Sequence, residues 1–476
     1  MRLSTLLQLH HFFILAAVAA TTKPRAVLED CLQDAVSGDA ARAQFSHEPD
    51  FEENDIRPYN LNYRRKPFAI LYPKTSAEVS GIVRGAATSD RKVQARSGGN
   101  DYTNSCLGSE DGAIVVDLRH FQKLEVDTGT GVATVGPGHR QKTLVEGLHS
   151  KRRLYLPTGA SARIAVGGFV TIGGVGLTTR LEGTMADSLI QAEIVLANGT
   201  IVKASANENA DLFWATKSEP REVVDFGFVV SSTNPATLAN AFKTYQEIIR
   251  DKDLDHRLGV VVVATKDSLR ISGAYFGPRS GYDKIDLASR IPNVVSGSVL
   301  ETITWVQHAN NTFRGIESLD PRQTHFYAHG TAINFATLPT NNTIDALFEH
   351  LQKADSGGSN RFLLMDLDGG AVKKLAVDAT SFPHRDVAYF VSLYASSDRP
   401  TTQAAYDFVD DAVLAVQGNH PEKYLTYAGY TNDRVKTNLQ ENYWGPNLPR
   451  LQKIKAAYDP KDLFSTLHTV KAKGRN

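Results

Sequence analysis

The alternation of apolar and polar residues predicts a chain of short strands and helices. Apolar runs at 67–72, 93–96 and 113–117 are typical of buried strands. Between the first two runs, Thr75 begins a capping box, Thr-Ser-Ala-Glu, ahead of apolar residues at helical spacing. We therefore predict a strand–helix–strand unit whose second strand ends at Arg96.

The rest of the chain shows the same strand and helix patterns of apolar residues, and the mix of predicted elements changes after Ser232. Hairpins are predicted at 121–136, 188–204 and 259–276, helices at 143–151, 237–252, 343–353 and 402–415, and strands at 361–367 and 387–394. The elements after Ser232 predict a second lobe, in which a sheet backed by helices forms one wall of a substrate cleft. From Tyr443 the chain is expected to return to the first lobe.

Two glycine-rich stretches stand out from this pattern. Residues 96–101 read Arg-Ser-Gly-Gly-Asn-Asp directly after a strand, and glycines there let successive backbone N–H groups point at one anion. Residues 166–176 hold two Gly-Gly pairs, which allow the chain to pass close to a flat or extended ligand, although the spacing is not that of a G-x-G-x-x-G fingerprint. Each pair alone is more typical of an ordinary turn.

Further segments match the sequence motifs of one known family. Besides the two glycine-rich stretches, they are 115–118, 133–138, Gly183 with Asp187, 195–200, 209–215, 443–447 and 454–460. Together they resemble the berberine bridge enzyme-like oxidoreductases of the vanillyl-alcohol oxidase superfamily. The chain looks closest to the fungal members, which include oligosaccharide oxidases and oxidases of secondary metabolism.

The resemblance implies an α+β fold with two lobes, a PCMH-type FAD-binding domain and an α+β substrate domain with a mainly antiparallel sheet. It places the FAD-binding domain at 67–235, the substrate-binding domain at 236–430 and a return to the FAD domain at 431–476. A signal peptide at 1–20 and a lead-in at 21–66 precede them.

The resemblance also implies a set of site residues. The expected cofactor-binding residues are Arg96, Ser97, Gly98, Gly99, Asn100, Asp101, Ser161, Gly167, Gly168, Gly173, Gly174, Gly183, Asp187 and Asn447. The backbone of 96–101 would hold the pyrophosphate, and Asp187 would fix the nearby turn. The family's catalytic base falls on Tyr424, for which a role as a core aromatic is an equal alternative. No metal site is expected.

Four departures from the family pattern bear on the cofactor or on the expected base. Many members attach the flavin covalently through a His and a Cys, where this chain has Asn100 and Ser161, so bound FAD is expected to be non-covalent. Residues 217–225 replace a glycine-rich loop that runs against the flavin, with carboxylates and a proline that would weaken or abolish FAD binding. Thr426 replaces an Asn beside the expected base.

Other candidate groups are assigned structural roles. Alternation along the predicted strand at 361–367 puts Asp366 and Asp368 on one face, and a solvated face is the expectation. His384 and Arg385, in a Phe-Pro-His-Arg turn, are expected to be a hydrogen-bonding pair. The chain has no G-x-S-x-G nucleophile motif and no metal-ligand spacing among its histidines.

Composition limits the remaining classes. The chain has 476 residues with 52 Lys and Arg against 52 Asp and Glu, so nothing points to nucleic acid, and no stretch after the leader predicts a membrane span. The apolar leader predicts secretion through a signal peptide, with a non-cleaved anchor as the alternative because His10 and His11 interrupt it, and sequons at Asn198, Asn310 and Asn341 imply glycosylation. Two cysteines in a secreted chain predict a disulfide between Cys31 and Cys106, with two unrelated buried thiols as the alternative.

These observations favour a secreted FAD-linked oxidoreductase. We expect a two-electron oxidation of a small organic molecule of fungal secondary metabolism, with O₂ as the electron acceptor. Loss of FAD leaves a second hypothesis, a redox-neutral cyclase or isomerase in the same cleft. A third hypothesis is an extracellular carbohydrate oxidase.

Overall fold

A computed structural model describes residues 24–127, 129–205, 217–218, 222–251, 253–317, 319, 323–418, 425–435 and 438–474. The predicted leader and the predicted base Tyr424 lie outside these residues, as does most of the segment that replaces the glycine-rich loop. No helix among the described residues is both long enough and apolar enough to cross a membrane.

The first lobe is built from short elements around a small sheet. Its strands are β1 Ala43–Phe45, β2 Ala69–Leu71, β3 Val93–Arg96, β4 Ile114–Asp117, β5 Leu124–Val126, β6 Ala133–Val135, β7 Leu154–Tyr155, β8 Gln191–Val195 and β9 Ile201–Ser205, and its helices are α1 Pro24–Ala35, α2 Ser76–Thr88, α3 Gln141–Arg152, α4 Val166–Thr171 and α5 Thr179–Glu182. The predicted strand–helix–strand unit and both hairpins are confirmed. The helix at the second glycine-rich stretch, α4, was not predicted, because glycine is a poor helix former.

The second lobe contains one large sheet and several helices. β10 Lys217–Ser218 still belongs to the first lobe, where it pairs with β7. The strands of the second lobe are β11 Val223–Ser231, β12 Leu258–Ala264, β13 Ser268–Tyr275, β14 Val294–Ile303, β15 His325–Asn334, β16 Asn360–Leu367 and β17 Val387–Ser397, and its helices are α6 Pro235–Ile249, α7 Arg279–Asp283, α8 Leu287–Arg290, α9 Trp305–Glu317, α10 Asn341–Lys353 and α11 Gln403–Val416. The chain then forms α12 Leu439–Trp444 and α13 Leu448–Tyr458.

Four strands in the order β1-β2-β4-β3 form the central sheet of the first lobe. β4 pairs in parallel with β2 and β3, because α2 crosses over between those two strands. Thr75 caps α2 as predicted, its hydroxyl accepting a hydrogen bond from the Glu78 N–H at 3.2 Å. The carboxyl end of β3 therefore delivers residues 96–101 to one edge of this sheet.

The predicted disulfide does not form in the structure. Cys31 and Cys106 are both free thiols. Cys31 lies on α1, which packs with α2 against the sheet face that carries Leu71 and Val116. Cys106 packs against the opposite face, so the sheet separates the two sulfurs.

Seven strands form the sheet of the second lobe, in the order β14-β11-β13-β12-β16-β17-β15. Every pairing between these neighbours is antiparallel. α6, α10 and α11 cover one face and bury the main apolar core there. The predicted α+β fold with a mainly antiparallel sheet is confirmed, and the other face of the sheet is left to contact the first lobe.

Candidate functional site

A cavity of about 2110 Å³ lies between the two lobes. The first lobe lines it with residues 97–102, 133–137 and 164–172, and the second with side chains of β12, β16 and β17 and with the loop 427–430. Pockets for one small molecule commonly measure ~300–1,000 Å³. The cavity therefore has room for a dinucleotide and a second, smaller molecule.

The turn at 97–101 exposes its backbone to this cavity. Gly99 has φ +69°, in the left-handed region. A Cβ added to Gly98 would lie 2.8 Å from the Ala165 nitrogen, so only glycine allows the two loops to come this close. Asp101 supports the turn by accepting hydrogen bonds from Thr103 and Ser105 N–H groups, both at 2.9 Å.

Arg96 points away from the cavity. Its Nε contacts Asp117 Oδ2 at 2.5 Å, and its Nη1 donates to the carbonyls of Asp55 and Ile56 at 2.9 and 2.8 Å. Burial alone would raise the pKa of Asp117, but hydrogen bonds from Arg119 and the charge of Arg96 lower it. Arg96 thus anchors the end of β3, and only its backbone can take part in ligand binding at the turn.

Four residues, Gly98, Asn100, Arg140 and Arg163, join the turn to the loop at 159–165, and we name this contact the loop junction. Arg140 Nη1 donates to the Gly98 carbonyl at 2.8 Å and also to the Arg163 carbonyl. The Asn100 amide nitrogen donates to the same two carbonyls at 3.1 and 3.2 Å. Asn100 and Ser161, both predicted to bind the cofactor, line the cavity.

The two glycine pairs of the second stretch differ in what they contact. Gly168 faces open space, while a Cβ on Gly167 would lie 2.8 Å from Pro137 Cβ. Gly173 has φ +104°, and a Cβ there would lie 2.4 Å from the Phe382 ring. Gly168 therefore leaves room for a ligand, Gly167 lets its own loop pack against Pro137, and Gly173 lets the two lobes approach each other.

Asp187 bridges the lobes as well as fixing a turn. It accepts hydrogen bonds from the Thr184 N–H and hydroxyl at 2.9 Å, next to Gly183 with φ +95°. Arg385 of the second lobe binds both its oxygens, at 2.9 and 3.0 Å. The two side chains are only 4 % and 6 % exposed, so this is a buried two-pronged ion pair. Arg385 thus pairs with Asp187 rather than with its neighbour His384.

Asn447 lines the cavity and holds one of its loops. Its amide nitrogen donates to the carbonyls of Val377 and Thr380 at 2.8 and 3.1 Å. The loop that contains these carbonyls also lines the cavity, at residues 378–381. The structure therefore gives the Asn447 nitrogen a role in shaping the site, beside the predicted contact with the cofactor.

Sequence reasoning missed a carboxylate–phenol pair on the second-lobe side. The Tyr430 hydroxyl donates to Asp366 Oδ2 at 2.7 Å, and both residues line the cavity. Removal from water raises the pKa of Asp366 to about 6, against the lowering effect of the Tyr430 hydrogen bond, and raises that of Tyr430 well above its ordinary value. The one available signal was a carboxylate inside an otherwise apolar strand.

The expected solvated face for Asp366 and Asp368 is therefore wrong. The face of β16 that carries Asp366 turns towards the first lobe, so Asp366 lines the cavity, and Asp368 follows directly after the strand. Asp368 is fully buried, and burial raises its pKa to about 8, which leaves it protonated at neutral pH.

Comparison with known proteins agrees with this geometry. Residues 67–205 match the family model of an FAD binding domain, and residues 426–471 match the model for berberine and berberine-like proteins. The FAD-linked oxidoreductase sorD of Penicillium rubens is 29% identical over 92% of this chain and 97% of its own. The carbohydrate oxidase of Microdochium nivale is 27% identical over 87% and 89%.

A solved structure shows the same fold. The glucooligosaccharide oxidase of Acremonium strictum, which carries a 6-S-cysteinyl, 8α-N1-histidyl FAD, matches 94% of this chain and 100% of its own with a TM-score of 0.82 and 23% identity. Fold and site together define an FAD-dependent oxidoreductase. Two segments of the chain thus match the FAD-binding and berberine-like domain models, and its relatives over most of its length are FAD-linked oxidoreductases and carbohydrate oxidases.

Proposed function

We propose that the protein oxidises a small organic alcohol in two-electron steps, with non-covalently bound FAD as the immediate acceptor and O₂ as the final one. The observation that carries the proposal is the placement of the Tyr430–Asp366 pair in the same cavity as the glycine turn. A proton acceptor thus faces a site shaped for a dinucleotide.

The residues present fit FAD. The 97–100 backbone suits a pyrophosphate, and the open space at Gly168 suits an extended group lying along the chain. Asn100 and Ser161 offer an amide and a hydroxyl, neither of which forms the histidyl or cysteinyl bond of the glucooligosaccharide oxidase. When bound, FAD supplies the acceptor for two electrons and the hydrogen from the substrate carbon.

The protein's own part is to take the hydroxyl proton. Tyr430 accepts that proton while its own proton passes to Asp366 Oδ2, so the pair works as one base. The raised pKa of Asp366, about 6, lets it hold the proton better than an ordinary carboxylate does. The balance is one alcohol oxidised to a carbonyl compound, with two electrons and two protons removed.

The first experiment is an absorbance spectrum of the purified protein before and after acid precipitation. We expect a flavin band that moves wholly into the supernatant, followed by O₂ consumption with an alcohol substrate. Colour kept in the pellet would show a covalent bond. A protein that stays colourless with added FAD would refute the oxidase and favour the cofactor-free cyclase.

Oxidation of sugars is the second candidate, because the carbohydrate oxidase of Microdochium nivale is a relative over most of the chain. O₂ consumption with xylobiose or cellobiose would support it. We also propose secretion and a place in secondary metabolism. Exposure of Asn198 and Asn341 supports glycosylation, which treatment with an N-glycosidase and a mass measurement would test.

A further inference from the structure

We propose that Gly330 and Asn432 are positioning residues that hold Tyr430 against Asp366; this rests on the proposed oxidase function. Among the described strands, β15 is the last of the large sheet. The loop that carries Tyr430 lies along this strand and is fastened to it before and after the tyrosine. The place of the Tyr430 hydroxyl is therefore set by the fit between the loop and β15.

Two hydrogen bonds fasten the loop to β15 before Tyr430. The Ala332 N–H donates to the Leu425 carbonyl at 2.8 Å. The Thr426 hydroxyl donates to the Gly330 carbonyl at 3.3 Å. The residue number on the strand falls while the number in the loop rises, so the two segments run antiparallel.

Asn432 fastens the loop after Tyr430. Its amide nitrogen donates to the Tyr327 hydroxyl of β15 at 2.8 Å, and that hydroxyl donates in turn to Asp410 Oδ1 at 2.6 Å. The Asn432 oxygen accepts a hydrogen bond from the Arg434 N–H at 2.8 Å. Asn432 is 2 % exposed, so loss of a partner would leave a buried polar group unpaired.

Gly330 gives the Tyr430 ring its place on the strand. A Cβ added to Gly330 would lie 2.7 Å from Tyr430 Cδ2 and 2.9 Å from Tyr430 Cβ. The Gly330 backbone is that of an ordinary strand, so it is the ring that excludes a side chain. Because Tyr430 Cβ is one of the close atoms, rotation of the ring cannot relieve the contact. The loop must move, and the hydroxyl that donates to Asp366 at 2.7 Å moves with it.

A displaced Tyr430 should change the titration of Asp366. The residues opposite Asp366 on the neighbouring strands, Val261 and Phe390, carry no charge. Tyr430 donates the hydrogen bond that lowers the pKa of Asp366, so its loss leaves burial to raise that pKa above about 6. The ionisable groups that interact with Asp366 are Tyr430, Tyr427, Asp368 and Tyr245.

Infrared pH titration of the full-length protein tests the proposal without turnover. The carbonyl stretch of the protonated acid reports on Asp366, and Asp366→Asn identifies its band. Gly330→Ala should raise the Asp366 pKa by about one pH unit. Gly227→Ala adds the same methyl group to β11, where the nearest atom is Ser272 Cβ at 3.7 Å, and should leave the pKa unchanged. No change in Gly330→Ala, or equal changes in the two variants, would overturn the role of Gly330.

A second variant tests Asn432 and also decides the matter if Gly330→Ala does not fold. Tyr327→Phe keeps the ring and removes the hydroxyl that accepts from Asn432, so the Asp366 pKa should rise by roughly half a pH unit. Tyr389→Phe is the matched control, since it removes a buried hydroxyl that donates to Gln246 at 3.0 Å. A Tyr327→Phe pKa equal to that of the control would refute the role of Asn432.

Turnover separates this proposal from the function on which it rests. In an active oxidase, Gly330→Ala should lower kcat about tenfold, because misplacement of a reacting group is costly, while the Kd for FAD stays unchanged. Infrared changes as expected in a protein that oxidises no alcohol would refute the oxidase function and support the positioning. An active oxidase in which Gly330→Ala leaves the Asp366 pKa unchanged would refute the positioning alone.

Discussion

The two sides of the cavity are built in different ways. On the first-lobe side, glycines and backbone groups shape the surface, and the loop junction joins neighbouring loops through carbonyl oxygens. On the second-lobe side, side chains from distant strands and from the loop at 427–430 form the surface, including the Tyr430–Asp366 pair. The first surface is suited to a cofactor that is the same in every turnover, and the second can change with the substrate without disturbing cofactor binding.

The largest effect on activity should come from replacing the proposed base, Tyr430. Tyr430→Phe should lower kcat/KM by about 10²–10⁴-fold, because general bases contribute about that much. The Kd for FAD, measured by quenching of flavin fluorescence, should stay within about twofold of the wild type if the two sides act separately. A variant that loses FAD and activity together would show that the two sides of the cavity do not act separately.

A smaller effect is expected at the loop junction. Arg140→Ala removes two hydrogen bonds from a charged donor, each contributing about 1.5–3 kcal/mol, and should raise the Kd for FAD by roughly tenfold or more. Arg163→Ala is the matched control, since it removes a nearby positive charge and keeps the carbonyl that accepts the junction's hydrogen bonds. If both variants weaken FAD binding equally, then charge near the pyrophosphate matters and the junction does not.

The proposed Tyr430–Asp366 base should also make kcat/KM depend on pH. Asp366 must be unprotonated to accept a proton, and its pKa is about 6, so kcat/KM should rise with pH below that value and level off above it. The slope below pH 6 should be about tenfold per pH unit, and Asp366→Asn should abolish it. FAD binding, followed over the same range, should show no step near pH 6.

The smallest effect on activity concerns Asp368, which directly follows the strand that carries Asp366. Its pKa is about 8 in the fold and about 4 in the unfolded chain, so between these values the fold holds a proton that the unfolded chain releases. Stability should therefore fall as pH rises from 4 to 8. Asp368→Asn should reduce that fall, whose upper limit is about 1.4 kcal/mol per pH unit, and Tm measured between pH 4 and 8 follows it. An unchanged Tm profile would contradict the raised pKa.

Much of the first lobe could be predicted because its signals are local. The Thr75 cap, β3 with the turn after it, and the hairpin at Gly199 each depend on a few consecutive residues. Family resemblance added Asp187, although its ion pair with Arg385 depends on a contact between lobes that no local pattern contains.

The second-lobe site could not be predicted in the same way. Tyr430 meets Asp366 only when a loop folds back over a strand more than sixty residues earlier in the sequence. The disulfide prediction was wrong for a related reason. Spacing along the chain does not reveal that a sheet lies between Cys31 and Cys106. The proposed base Tyr424 stays a prediction, and Tyr430 now offers a second phenol for that role.

The Asp187–Arg385 pair also restricts how the cavity can change its width. It ties the two walls together at a buried point, where separating the charges would leave each of them without its partner. Arg180 adds hydrogen bonds to the Leu258 and Asp368 carbonyls of the second lobe, and the Asn60 amide donates to the Phe326 carbonyl. Because the lobes are fastened at several places, the cavity adapts to a ligand through its loops and side chains rather than by parting of the lobes.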